Sequence, residues 1–123
     1  NLVNFGGKGK YADPKFVWKQ TIGPTALGFL NSDKLGQEYK DTMFTGDVNN
    51  GYLYNFKLDQ DRTALSLEGP LADRVANTPS EEQKILFGQG FGVITDIKVS
   101  PDGYLYILGY DGTIYKIVPN STT

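Results

Sequence analysis

Three turn sequences constrain the fold of this chain more than any other feature: Asn50-Gly51, Asp102-Gly103 and Asp111-Gly112. Gly, Asn and Asp tolerate the positive φ angles of two-residue hairpin turns, so these dipeptides mark places where one strand turns back into the next. Residues 52–58, which follow the first turn, alternate with a period of two, which is typical of a half-buried strand and not of a helix. The sequence therefore predicts an all-β fold.

Short runs between these turns and the neighbouring polar segments predict about eight strands. In residues 94–99, strict alternation places Ile94, Asp96 and Lys98 on one face and the intervening residues on the other. The predicted strands cover residues 25–30, 42–45, 52–58, 64–67, 85–87, 94–99, 104–108 and 113–118.

The sequence Gly-Tyr-Leu-Tyr occurs twice, at residues 51–54 and 103–106, and each copy begins at a turn glycine. The strands thus form two units of four, each of roughly 40–50 residues, which is the period of a β-propeller blade. Because the repeat occurs only twice, a β-meander or a small β-sandwich is an alternative to the two blades.

Composition divides the chain into a connector, two blades and an insertion. Residues 1–14 are rich in Gly, Lys and Asn and predict a connector. Residues 15–123 hold the predicted blades, at about 15–68 and 85–118. Between the blades, residues 69–84 contain two prolines and little periodicity, which predicts an inserted loop with one helical turn.

Charge and residue types exclude several functional classes. The net charge of −2 argues against nucleic-acid binding, which needs clustered positive charge. No apolar run approaches the ~20 residues of a membrane-spanning helix. The chain has no Cys and no His, so it lacks thiolate nucleophiles, the usual soft metal ligands and the commonest general base near neutral pH.

Two segments are similar to binding loops but have simpler interpretations. Residues 47–51 (DVNNG) have the oxygen-rich side chains of a calcium loop but lack the glutamate that closes one, which favours a hairpin turn. Residues 88–92 (GQGFG) lack the GxGxxG spacing of a dinucleotide site, which favours another turn. The sequence therefore predicts no catalytic residue and no metal ligand in this chain.

A known family shares several features with this sequence. They lie within residues 13–29, 39–58 and 92–117, and the most specific are Trp18, Pro24, Gly28-Phe29, Phe44-x-Gly46 and Asp96. With them the chain resembles the last portion of the soluble quinoprotein sugar dehydrogenases, the glucose/sorbosone dehydrogenase group. The resemblance implies a six-bladed β-propeller parent that carries pyrroloquinoline quinone (PQQ) and calcium, oxidises aldose sugars, and is extracellular or periplasmic.

The resemblance also implies which positions face the cofactor. Trp18 and Thr25 are similar in residue type to the group's residues at two cofactor-facing positions. Asn49 stands where the group has a lysine. Val93 and Thr95 stand where the group has the two arginines of an R-x-R-D pattern. Arg and Lys bind carboxylates through charge-assisted hydrogen bonds, and the quinone carries three carboxylates. Loss of these cations should therefore weaken the binding free energy of the quinone by on the order of several kcal/mol. The candidate cofactor-binding residues are thus Trp18, Thr25, Asn49 and Thr95.

Two functions are consistent with these features. The chain is either the C-terminal part of a quinone-dependent sugar dehydrogenase, inactive alone because the histidine base of the group lies in an earlier blade, or a non-catalytic propeller module that has lost its cofactor. With either function, we expect this chain by itself to bind neither PQQ nor calcium. A sugar or another small molecule is the expected ligand.

Two blades cannot close a ring, so further surfaces must cover their open sides. Repeat units bury such sides only against neighbours, which predicts either the remaining blades of a parent chain or self-association. The residues expected on the exposed aromatic and aliphatic sides are Phe29, Phe44, Tyr54, Phe56, Ile97, Leu105 and Ile107.

Overall fold

The regular structure of the chain is mostly strands, in a computed structural model that describes residues 5–120. Residues 1–4 of the predicted connector and residues 121–123 at the other end lie outside the described residues. One short helix, α1, covers Pro79–Gln83, and 3-10 turns cover Gln37–Tyr39 and Gly69–Asp73. The strands of the described residues are β1 (Val17–Trp18), β2 (Pro24–Leu30), β3 (Thr42–Asp47), β4 (Leu53–Phe56), β5 (Val75–Ala76), β6 (Leu86–Gly88), β7 (Ile94–Val99), β8 (Leu105–Gly109) and β9 (Ile114–Ile117).

Four strands form an antiparallel sheet in the order β2-β3-β4-β6, which we call the first blade. Leu30 pairs with Thr42 at one end of β2, and Pro24 pairs with Asp47 at the other. The antiparallel meander confirms the all-β prediction and has the strand order of a propeller blade.

The second blade, β7-β8-β9, has three strands within residues 5–120, where the sequence predicted four. The strand predicted at 85–87 pairs with β4 through Tyr54 and Leu86 and so completes the first blade. The strand predicted at 64–67 is reduced to a single bridge between Leu58 and Leu65. The edge of β4 therefore takes the strand that the division into two units of four assigned to the second unit.

The two blades pack face to face through β2, β3 and β7. Glycines allow the sheets to approach closely: a Cβ atom at Gly46 would lie 2.5 Å from Ile94 Cγ2, and one at Gly28 would lie 2.9 Å from Ile97 Cγ2. The core between the sheets contains Leu30, Leu35, Phe44, Leu53, Ile94, Ile97, Leu105 and Ile107.

The alternation predicted for residues 94–99 is wrong at its start. A β-bulge lies between Ile94 and Asp96, so one extra residue shifts the register there. Ile94 and Ile97 consequently share the buried face, although strict alternation separates them.

Most residues predicted on open apolar sides are buried instead. Phe29 is 46% exposed, as expected, but the other six are at most 3% exposed. The second blade covers one side of the first blade, and Phe16, Trp18, Leu71 and Ile85 cover Tyr54 and Phe56 on the other. The buried six are Phe44, Tyr54, Phe56, Ile97, Leu105 and Ile107.

Residues 69–84 contain more structure than the predicted loop with one helical turn. A 3-10 turn is followed by β5, which pairs in parallel with β1, and then by α1. Thr78 caps α1 by accepting a hydrogen bond from Glu81 N, and Pro79 occupies a first-turn position that needs no backbone donor. No helix within residues 5–120 is long and apolar enough to cross a membrane.

Candidate functional site

The fold brings three of the predicted site residues to one end of the two blades. Thr25 lies at the start of β2, and its hydroxyl donates a hydrogen bond to the carbonyl of Ile94, 2.5 Å away, next to Thr95. Asn49 lies in the turn between β3 and β4, where its backbone N–H donates to Ile22. We call residues 21–25, 47–51 and 92–95 the site end.

The turn at 47–51 has a conformation that only a few residue types permit. Gly51 has a φ of 68°, and a Cβ atom there would lie 2.6 Å from the carbonyl oxygen of Gly92. Asp47 Oδ1 accepts hydrogen bonds from Asn50 N at 2.8 Å and Gly51 N at 2.9 Å. The turn is therefore closed by Asp47 and packed directly against the residues that precede β7.

The polar side chains of the site end donate to the chain's own carbonyl groups. Asn49 Nδ2 donates to Thr21 O at 3.1 Å, and Thr95 Oγ1 donates to Leu108 O at 3.1 Å. A threonine hydroxyl has one hydrogen, so Thr25 and Thr95 retain only acceptor lone pairs for an external ligand. These exposed side chains are neutral and, apart from the second amide hydrogen of Asn49, offer hydrogen-bond acceptors.

Trp18 lies apart from the other three, inside an aromatic cluster. Its ring centroid is 4.9 Å from that of Phe16, 5.2 Å from Tyr54 and 6.0 Å from Phe56. Its indole N–H is buried without a hydrogen-bond partner. The ring is therefore packed by this chain's own aromatic residues, which makes it a core residue more than a platform for a ligand.

Trp18 also lines an apolar groove of about 410 Å³ on the outer side of the first blade. Neither Thr25 nor Asn49 nor Thr95 lines this groove. Its main apolar residues are Phe16, Trp18, Leu27, Phe29, Met43, Phe56 and Leu65.

A buried polar cluster adjoins the site end. The Tyr54 hydroxyl lies 3.0 Å from Asp47 Oδ2 and 2.5 Å from Glu82 Oε1, within hydrogen-bond distance of both carboxylates. Burial raises the pKa of the Tyr54 hydroxyl well above its ordinary value of 10.0, and the hydrogen bond to Glu82 and the charge of Asp47 raise it further. Sequence reasoning missed this cluster, because Glu82 lies in a segment without periodicity and nothing local connects it to Tyr54.

The contacts of Asp47 also bear on the calcium-loop interpretation of residues 47–51. Both of its carboxylate oxygens are engaged, Oδ1 by the turn and Oδ2 by Tyr54. Across residues 5–120, no group of three or more Asp, Glu, His or Cys side chains is arranged to hold a metal ion. The carboxylate thus acts as a structural acceptor that shapes the turn.

Comparison with known proteins agrees with the family resemblance. The family model described as glucose/sorbosone dehydrogenase matches residues 4–116. Aldose sugar dehydrogenase YliI of Escherichia coli (strain K12) is 31% identical over 110 residues, which cover 88% of this chain and 25% of that enzyme. The chain thus spans about a quarter of the length of this curated relative. It belongs to the glucose/sorbosone dehydrogenase family.

Proposed function

We propose that this chain is the C-terminal, two-blade part of a sugar-oxidising propeller and has no activity of its own. The sugar substrate is inferred from the family and from the name of the E. coli relative. The family resemblance also favours an extracellular or periplasmic location. The proposal rests mainly on the neutral, acceptor-rich character of the site end.

The residues of this chain do not fit the quinone that the family resemblance implies. The quinone carries three carboxylates, which need hydrogen-bond donors and positive charge. Asn49, Val93 and Thr95 supply no charge, and the Thr95 hydroxyl hydrogen and one of the two amide hydrogens of Asn49 are already donated to Leu108 O and Thr21 O. No step that passes through the cofactor is therefore assigned to this chain.

The site end is better suited to a neutral, hydroxyl-bearing ligand. The free lone pairs of Thr25 and Thr95 accept hydrogen bonds, and the hydroxyl groups of an aldose sugar donate them. In a complete propeller these residues would form part of the wall around the substrate. Proton transfer and oxidation would fall to groups in the rest of the protein.

A second candidate function is a propeller module that binds a ligand without catalysis. The neutral residues at the positions of three cations favour this candidate, because a lost cofactor removes the reason to keep those charges. Sugar turnover by the complete protein separates the two candidates: turnover supports the dehydrogenase, and ligand binding without turnover supports the module.

Titration with PQQ and calcium tests the neutral site end directly. The chain should give no shift of the quinone absorbance at micromolar concentration. The triple variant Asn49→Lys, Val93→Arg, Thr95→Arg should gain measurable binding, because each restored cation pairs with a carboxylate.

The matched control adds three charges elsewhere, with Gln37→Lys, Gln60→Arg and Ser66→Arg beyond the opposite ends of β2 and β4. This control should bind no better than the unmodified chain. Clear micromolar binding by the unmodified chain would refute the proposed character of the site end.

A further inference from the structure

The apolar groove of the first blade is lined by charges of one sign. Lys15 and Arg62 line it beside the exposed Leu27 and Phe29, and no Asp or Glu among residues 5–120 does. Both ion pairs found within residues 5–120 lie in the second blade, so neither of these cations is paired with a carboxylate. Arg62 donates one hydrogen bond to Asp41 O, and its guanidinium has further N–H donors. The groove therefore favours an apolar partner that carries negative charge.

The turn between β8 and β9, residues 110–114, has the complementary chemistry. Tyr110 is 81% exposed and Ile114 is 67% exposed, more than any other large apolar side chain within residues 5–120. Asp111 lies between them in the sequence and is also exposed. The turn thus combines two apolar anchors with one carboxylate.

This turn is already ordered by its own hydrogen bonds. Asp111 Oδ1 accepts from Thr113 N at 3.0 Å, and Gly112 N donates to Gly109 O at 3.1 Å. The backbone N–H of Tyr110 donates to Val93 O at 2.9 Å, which ties the turn to the start of β7. A preformed turn loses little conformational entropy when it binds, and a tyrosine that enters an apolar groove is a typical anchor of a protein interface.

The groove and the turn belong to different blades, and no residue of the turn lines the groove. Both surfaces are exposed in the folded chain, so neither covers the other within one copy. A contact between the groove of one copy and the turn of another leaves a free groove at one end of the pair and a free turn at the other. Such a head-to-tail contact repeats until a ring closes or a filament forms.

We propose that, in the chain by itself, the apolar groove of one copy binds residues 110–114 of a second copy. Tyr110 and Ile114 fill the apolar groove, and Asp111 faces Lys15 and Arg62. The interface is therefore heterologous, with a different surface contributed by each copy. It involves neither sugar nor quinone, so it stands apart from the proposed function.

Two variants, each of which blocks one surface, test this contact by sedimentation at micromolar concentration. Leu27→Lys places a charge at the groove, and Tyr110→Lys removes the aromatic anchor of the turn. Each variant alone should sediment as a monomer of 13.6 kDa, whereas the unmodified chain should form species larger than a dimer.

An equimolar mixture of the two variants should form a heterodimer of twice the chain mass and nothing larger. The intact turn of the Leu27→Lys copy binds the intact groove of the Tyr110→Lys copy, and the two blocked surfaces stop further growth. A circular dichroism spectrum dominated by strands, measured on each variant before mixing, shows that both are folded.

Asp111→Asn tests the charge without opening the turn, because the amide oxygen still accepts from Thr113 N. The dissociation constant of the heterodimer should rise by about two- to fivefold when the Leu27→Lys copy also carries Asp111→Asn, as expected for an exposed ion pair. Asp33→Asn, at an exposed position away from both surfaces, is the matched control and should leave that constant unchanged.

Three results would overturn the proposal. They are a monomeric unmodified chain, association of Tyr110→Lys as strong as that of the unmodified chain, and a mixture of the two folded variants that stays monomeric. The last result would indicate that two grooves pair with each other. None of these results changes the outcome of the quinone titration, so failure of this contact is distinguishable from failure of the proposed function.

Discussion

The environment of Tyr54 illustrates how much the behaviour of one side chain depends on distant parts of the sequence. Alternation in residues 52–58 correctly assigned Tyr54 to the face opposite Leu53, and each residue lies in a different core. Its partners Asp47 and Glu82 come from a turn and from the insertion, and only the folded chain brings them together.

Tyr54 gives stability a dependence on alkaline pH. Its pKa is raised in the folded chain above the 10.0 expected after unfolding, because burial and the two carboxylates favour the neutral phenol. Its contribution to stability is therefore fully present below pH 10 and is lost as pH rises above that value.

The Tyr54→Phe variant isolates this contribution, since all other titrating groups are retained. The free energy of unfolding of the unmodified chain should fall more steeply above pH 10 than that of the variant. Denaturant unfolding at a series of pH values measures both slopes. Identical slopes would show that Tyr54 ionises equally easily in the folded and unfolded chain.

At the scale of single residues, the sequence predicted the place of Thr25, Asn49 and Thr95 better than that of Trp18. Turn and strand signals fix the ends of strands, and residues at strand ends meet when the strands pair. Trp18 lies in a two-residue strand that depends on β5 of the insertion, so no local pattern could predict its surroundings.

At the scale of elements, strands were easier to predict than their partners. Alternation and turn residues identify β3, β4, β7, β8 and β9 to within a few residues. The pairing of β6 with β4, and the bulge that places Ile94 beside Ile97, depend on packing between segments far apart in the chain.

The close contact between β3 and β7 predicts a large effect of one added methyl group. A Cβ atom at Gly46 would lie 2.5 Å from Ile94 Cγ2 and 3.0 Å from Ile94 Cδ1, in the core between the blades. Gly46→Ala should lower the free energy of unfolding by about 1–3 kcal/mol through overpacking.

A double-mutant cycle with Ile94→Ala attributes this effect to the contact. Ile94→Ala removes the two nearest atoms that the new methyl group would meet and leaves Cβ at 3.1 Å, so the double variant should be more stable than the sum of the single effects predicts. Additive losses in denaturant unfolding would mean that Gly46 is required for another reason.

At the scale of the whole molecule, the outer sides of the two blades differ in chemistry. The first blade exposes Leu27 and Phe29 beside the apolar groove. The second blade carries the exposed ion pairs Lys98–Asp96 and Lys116–Asp102. The second blade also exposes Ile114 and the adjoining Val118. On the first blade the exposed apolar residues line a groove, and we expect other blades or a second copy to cover this surface.

In the absence of other blades, we predict self-association through the groove. Sedimentation at micromolar concentration should show a species heavier than the 13.6 kDa chain. Leu27→Lys should shift the equilibrium to monomer by placing a charge at the groove, whereas Tyr11→Lys, at an exposed connector position, should not. A stable monomer of the unmodified chain would contradict self-association.

An assay of sugar oxidation by the purified chain decides whether catalysis requires groups outside this chain. The assay supplies an aldose sugar, PQQ, calcium and an artificial electron acceptor, and compares the rate with that of the same mixture without protein. The chain has no histidine to serve as base, and its site end lacks cationic donors for the quinone, so the two rates should be equal. Turnover clearly above the protein-free rate would contradict the proposal that catalysis requires groups outside this chain.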